Sequence, residues 1–311
     1  MIEQKGPRIS RTADGLVVDL EQCDGGGVLN GHRLEAVVDG GGWHVRPQRL
    51  RTARTVSDVL PVASPLPHDE GDAVSDLFPA IGLTGPALAL VVGWLVAALV
   101  NRSGTQPILV LTGPNRDRVA RAVVDLIDPR EPTFSDHPPP SNPGRWLTLS
   151  RGRWLAAFAE VNFAGLDHYQ RSRLCSAVEL LPVRRHYEHS AVRMPVLVTT
   201  PHFDPSEIQP TPPIGPRLLA VDTNAASSHW TPDPGRALGG LLYLVSGVLG
   251  KAATLESDPY VNRELLGRVM PPHPEFVFTL AVLDVVQPGL DSLPAYFDNF
   301  YQGENHGRTQ N

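Results

Sequence analysis

The stretch ILVLTGPNRDRVARAVVDLIDP, residues 108–129, decides how the rest of the chain is read. It gives a short apolar strand over 107–112, a tight Gly-Pro-Asn turn and a helix over 116–127. A strand that runs through a turn into a helix is the frame in which backbone N–H groups and a helix amino terminus hold phosphates.

The pattern continues outward from that frame. An apolar helix is predicted over 77–100, a second strand over 153–161, a helix over 167–181, a third strand over 194–200 and a fourth over 217–223. Short apolar strands alternating with helices argue for a mostly parallel α/β sheet with helices on both faces. Two proline-rich loops, 128–145 and 201–217, punctuate it. Residues 8–57 alternate β-like runs with glycine turns, which predicts a small meander, and LPVASPLPHDEGD (60–72) reads as a linker. The carboxy-terminal part is helical over 236–256, 274–287 and 292–302. The expected organisation is a small β-rich segment (1–60), a linker (61–76), an α/β core (77–233), a helical region (234–303) and a frayed tail (304–311).

Bulk properties bound the function. The 311 residues can bury a sizeable core, and 31 prolines with 28 glycines predict long irregular loops. A net charge of −6 supplies no global field that would draw the chain to nucleic acid or an anionic membrane, so any DNA contact needs a local patch. Cys23 and Cys175 lack metal-ligand spacing, so no metal site is expected and a reducing, cytoplasmic setting fits. The amino terminus has no apolar signal region, and the longest apolar run, Pro86–Val100, falls short of the roughly 20 residues that span a bilayer.

The turn lacks the chemistry of a working phosphate loop. GxxxxGK[ST] supplies a lysine for the β- and γ-phosphates and a hydroxyl for magnesium. Here Gly113 is present, whereas the second glycine, the lysine and the hydroxyl are absent; the only lysines in the chain are Lys5 and Lys251. The second strand has Ala159 where a magnesium-ordering aspartate is needed, followed by Glu160 as the one candidate catalytic carboxylate. Thr199 and Thr200 end the third strand, where a polar residue can sense a γ-phosphate. Arg116 and Arg118 either pair with a phosphate bidentately or are surface arginines in a chain whose basic residues are nearly all Arg.

Taken in order, VVGWLVAALV (91–100), PILVLTG (107–113), ARAVVDLIDP (120–129), WLAAFAEVNFAGLDHYQRSRLCSAV (154–178), MPVLVTT (194–200) and RLLAVD (217–222) resemble the ATPase module of primase-helicase-like proteins. Those proteins are carried by phages and integrative elements in actinobacteria. The resemblance extends over residues 12–303 and implies a P-loop NTPase fold of the ASCE or AAA+-like kind. It also implies ring-forming self-association or an ATPase partner, and ATP with magnesium as the ligand. It places Gly113, Asn115, Arg116, Arg118, Thr199, Thr200 and Arg217 at nucleotide-facing positions and Glu160 at the position of a water-activating carboxylate. Loss of the lysine, the hydroxyl and the aspartate together removes most of the electrostatic stabilisation of phosphoryl transfer. The expectation is a catalytically degenerate homologue serving as a structural or regulatory assembly module. Its alternatives are a residual nucleotide-binding NTPase and a DNA-binding component of a replication or mobile-element complex.

Two further stretches carry weaker signals. CDGGGVLNG (23–31) lacks the third glycine and the following helix of a dinucleotide fingerprint, so a hairpin loop is expected. RRHYEHS (184–190) reads as a polar helix end or loop, in which Arg184, Arg185 and Tyr187 could meet DNA phosphates and a base.

Overall fold

The computed structural model describes residues 9–11, 15–23, 32–49, 63–66, 73–100, 106–135, 137–179, 181–185, 188–192, 194–201, 203, 217–227, 233–255 and 273–299. An amino-terminal sheet comprises β1 (Ile9–Arg11), β2 (Gly15–Cys23), β3 (His32–Asp39) and β4 (Gly42–Arg49), paired in that order and antiparallel throughout. The β2–β3 pairing brackets the glycine run as a hairpin connection would; residues 24–31 themselves lie outside the described residues.

The second sheet contains β5 (Ile108–Thr112), β6 (Ala156–Phe158), β9 (Val196–Thr199) and β10 (Leu218–Asp222). Its order is β10-β5-β9-β6 and every pair is parallel. A single parallel bridge from Ser135 to Phe158 extends it by one position beyond β6. The late strand β9 is inserted between the turn-bearing strand β5 and β6, the strand that leads to Glu160. With helices on both faces, this is a P-loop NTPase-like α/β fold.

Side-chain alternation divides the core in two. Leu109, Leu111, Ala157, Leu197, Leu219 and Val221 face a large cluster with α1 (Ala73–Ile81), α2 (Gly85–Val100), α3 (Arg116–Ile127), α6 (Pro234–Leu255) and α7 (Pro274–Val286). Ile108, Val110, Ala156, Phe158, Val196 and Val198 face a smaller cluster with Trp146 of α4 (Pro143–Gly152) and Leu174 of α5 (His168–Glu179). Both faces are covered, which is why these strands read as near-continuous apolar runs. A last helix, α8, covers 292–299. Asp284 accepts bonds from the Ser292 and Leu293 amides at its start (2.8 and 3.0 Å).

The helix expected over 77–100 is two helices, α1 and α2, which meet at 101°. Gly82 (φ 77°) and Gly85 (φ 55°) adopt left-handed conformations on either side of the bend, so the chain can reverse there at little steric cost. Among the described residues no single helix is long and apolar enough to cross a membrane. The segment read as a helix end or loop is instead a β-hairpin, β7 (Leu181–Arg185) with β8 (Glu188–Val192), inserted between α5 and β9.

Two links hold the elements around the β5 turn. The buried Trp94 indole of α2 donates to Pro107 O (2.8 Å), and Gln106 Nε2 returns a bond to Trp94 O (3.1 Å), fixing where β5 begins. At the far end of α3, the buried Asp128 carboxylate accepts from Trp154 N (3.0 Å) and pairs with Arg130 at 2.5 Å. That arrangement ties the end of α3 to the approach to β6. A buried carboxylate requires such partners, since one left without them would neutralise or unfold its surroundings.

Candidate functional site

The carboxyl ends of parallel strands, beside a change of strand order, are where α/β sheets bind ligands. Here that edge gathers the ends of β5, β6, β9 and β10, and with them Gly113, Asn115, Arg116, Glu160, Thr199, Thr200 and Asp222.

Three residues, Gly113 to Asn115, join β5 to α3. Gly113 has φ 86°, and a Cβ there would lie 2.8 Å from Asp222 Oδ1 and 3.2 Å from Thr223 Oγ1. Glycine is therefore required both by the backbone and by the space. Pro114 has no N–H to offer a ligand. Asn115 forms no side-chain cap on α3; its amide donates across to Thr223 O at 3.3 Å, fastening the turn to the end of β10. Thr223 bonds back through its amide to Thr112 O (2.9 Å).

Arg116 folds over the turn. Its Nη1 donates to Gly113 O (3.0 Å), while Nε and Nη2 both donate to Glu160 Oε1 (3.0 and 2.5 Å). The guanidinium is thus engaged on two sides, by the turn's own carbonyl and by the Glu160 carboxylate. Glu160 is held in place from its backbone: its N–H donates to Thr199 Oγ1 (3.1 Å), and that hydroxyl donates to Asp117 Oδ1 (2.7 Å). Thr199 is fully buried and Thr200 nearly so, with Thr200 N bonded to Leu111 O (3.1 Å). Glu160 itself sits at φ 53°, a left-handed conformation that costs a non-glycine residue about 1–3 kcal/mol and persists only where neighbours impose it.

At this edge Arg116, Glu160, Thr199 and Asp117 bond one another in series. The turn presents one carbonyl already bonded, one proline nitrogen and a neighbouring aspartate whose charge would repel a phosphate. Among the described residues no group of three or more His, Cys, Asp or Glu side chains is placed to hold a metal ion.

Other residues named from the sequence lie elsewhere. Arg118 lines a cavity between α1, α3 and the head of α6. Residues two apart on a helix point about 200° apart, so Arg116 and Arg118 cannot both face the turn. Arg217 precedes β10 at the opposite edge of the sheet, roughly 15–20 Å from Gly113 by strand rise. Its charge acts on the buried Cys175 thiol, where burial pushes the pKa up and Arg217 partly offsets that rise. Arg184 and Arg185 lie on β7, and Tyr187 lies outside the described residues. Asp117 and Asp222 are parts of the site that the sequence reading does not single out. Their signal was available: both stand within a residue of a strand or helix end on the carboxyl edge.

No family model matches the chain, and no curated protein matches it. Among solved structures it is similar to SCCmec type IV Cch, an active helicase, at 12% identity and a TM-score of 0.46. That match covers 96% of this chain and 59% of the helicase, so the chain spans well under two thirds of its neighbour's length. It is also similar to a full-length MCM homolog from Methanopyrus kandleri, at 13% identity and a TM-score of 0.45, over 95% of this chain and 76% of that one. The apo A form of the NrS-1 C-terminal region matches at 12% identity and a TM-score of 0.34, over 90% and 79% of the two chains.

Proposed function

We propose that this chain is a catalytically degenerate member of the P-loop NTPase-like fold that acts as a structural or regulatory assembly module, with itself or with an active ATPase partner. The observation that carries the reading is the engagement of Arg116 by both Gly113 O and Glu160. The positive charge and the carboxylate that a residual NTPase would direct at phosphate and water are directed at each other. Pro114 and Asp222 add to this by removing a donor and placing a negative charge at the turn. An origin in a phage or integrative element belongs to the same proposal and rests on the collinear sequence segments.

The test is nucleotide binding. ATP with magnesium at millimolar concentration is expected to leave the melting temperature unchanged, whereas a ligand at 100 times its Kd would stabilise the protein by about 2.7 kcal/mol. An upward shift that disappears in Arg116→Ala would overturn the proposal in favour of a residual nucleotide-binding NTPase. Native mass measurement of the same sample reads out self-assembly.

A second reading is favoured by the β7–β8 hairpin. Its register pairs Arg184 with His189 and Arg185 with Glu188, placing both arginines next to the connection between the strands. Arginines at such a hairpin could contact a phosphate backbone without a globally basic protein. Salt-sensitive retardation of single-stranded DNA, reduced in an Arg184→Ala/Arg185→Ala variant, is the expected outcome if the hairpin binds DNA. Equal retardation of the variant would remove this reading.

A further inference from the structure

The outer strands of the parallel sheet are both met from elsewhere in the chain. Asn299 Nδ2 donates to Ala220 O of β10 (2.7 Å), and Ser135 N donates to Ala157 O of β6 (2.9 Å). The amino-terminal sheet differs. Its edge strand β1 is three residues long, whereas β4 runs for eight and has no strand on its outer side among the described residues. An edge of that length is a template for another strand.

The sequence of β4, GWHVRPQR, decides which groups face outward. Gly40 and Gly41 form a two-residue hairpin loop closed by the Asp39–Gly42 pair, so Gly42, His44 and Arg46 are the residues bonded to β3. Trp43, Val45 and Pro47 alternate with them and turn their backbone groups outward. Pro47 fits that side, since it has no N–H to give β3. Trp43 and Val45 each present a donor and an acceptor, and no hydrogen bond from the described residues reaches them.

The same three side chains share the face of the buried Ala36 and Val38. They carry that apolar face past its cover, for Val45 is 38% exposed and Pro47 is exposed. On the opposite face Arg46 Nε donates to Glu35 Oε1 (2.6 Å), so that guanidinium is paired within its own copy. Asp19, opposite Glu35 on β2, lies a strand further from the edge.

We propose that two copies of this chain join β4 to β4, antiparallel across a two-fold axis at His44, so that their amino-terminal sheets become one. Trp43 of each copy then lies opposite Val45 of the other as a hydrogen-bonded pair, in which both N–H groups find a carbonyl. The open edge is thus complementary to itself, as an isologous contact requires. Centring on Val45 instead would set Trp43 against the donorless Pro47, and centring on Arg46 would set two arginines against each other. The occupant is a second copy because β4 supplies both the missing backbone partners and the matching apolar side chains. The proposal rests on the self-association half of the proposed function and names a surface for it.

Analytical ultracentrifugation of the full chain over a concentration series tests it. The expected result is a monomer–dimer equilibrium that Val45→Lys weakens by about tenfold or more, since a cation then stands in the apolar seam. Strand pairing has its own readout. Facing residues of a non-hydrogen-bonded pair have Cα atoms about 4.5 Å apart, within disulfide reach, so His44→Cys should cross-link two copies under mild oxidation where the parent chain does not. A monomer at every concentration overturns both this proposal and self-association. A dimer that Val45→Lys leaves intact and His44→Cys does not cross-link overturns the strand pairing alone. If near-ultraviolet circular dichroism shows that Val45→Lys does not fold, the cross-link decides the question.

Discussion

Glu160 is the residue at which conformation and charge can be separated. Its side chain is half exposed in the pair with Arg116 (49% against 20%), so the ion pair is screened and contributes no more than about 1 kcal/mol. Its backbone at φ 53° is the larger effect, because a Cβ costs roughly 1–2 kcal/mol in that region. Glu160→Ala and Glu160→Gly both remove the carboxylate, yet only glycine relieves the backbone. The glycine variant is therefore expected to exceed the alanine variant by about 1 kcal/mol in urea unfolding, despite glycine's greater freedom in the unfolded chain. Equal stabilities would mean that the Thr199 hydroxyl does not impose the conformation. At this scale the sequence was partly legible. Glu160 and Arg116 are each recognisable as groups at the carboxyl edge of the sheet, and their opposite charges were the signal that they pair. Arg118 was grouped with Arg116 by proximity in sequence, whereas helix geometry turns it to another environment. Arg217 was grouped with them by family position, and the parallel register puts it at the other end of β10.

At the scale of elements, the β5–turn–α3 unit was legible because its boundaries coincide with a change from continuous apolar residues to helical spacing. The α1–α2 bend was missed although Gly82, Gly85 and Pro86 punctuate the sequence there, because the apolar residues on both sides were read as one continuous helix. The β7–β8 hairpin was also missed, because RRHYEHS alternates too briefly and is too polar to resemble a strand. The helix α3 carries a pH-dependent prediction of its own. Asp125 has a folded-state pKa above its ordinary value, chiefly through burial. A carboxyl with a raised folded pKa makes the folded state bind more protons than the unfolded state across the interval between the two values. Stability therefore falls as pH rises through that interval, and the penalty is fully present above the raised value. Asp125→Asn is expected to be more stable than the parent chain at neutral pH, with the advantage shrinking as pH falls toward the ordinary carboxylate range. Chemical unfolding at a series of pH values measures it, and a pH-independent difference would show that the effect is not ionisation.

For the whole molecule, α6 is the element on which the parts meet. Backbone approaches it at glycines: a Cβ on Gly239 would meet Leu66 O at 2.0 Å, and one on Gly250 would meet Gly40 O at 2.5 Å. The first contact is with the segment before α1, the second with the β3–β4 turn of the amino-terminal sheet. Ser246 Oγ donates to Asp39 O at 2.6 Å beside the second contact, so the sheet is docked by backbone proximity and a hydrogen bond as well as by apolar burial. The amino-terminal meander and the α/β core, distinct in sequence pattern, thus share one continuous cluster that includes Leu16, Val18 and Ala36 with Leu241 and Val245. Gly250→Ala separates two opposing effects. Helix propensity alone would raise stability by about 1 kcal/mol. Crowding against Gly40 should outweigh that gain and lower stability by roughly 1–3 kcal/mol. The expected outcome is a lower urea midpoint, together with faster limited proteolysis between the meander and α1, because the docked sheet loses its seat on α6 while the parallel sheet keeps its own core. A variant as stable and as protease-resistant as the parent chain would mean that the meander is held by its apolar face alone.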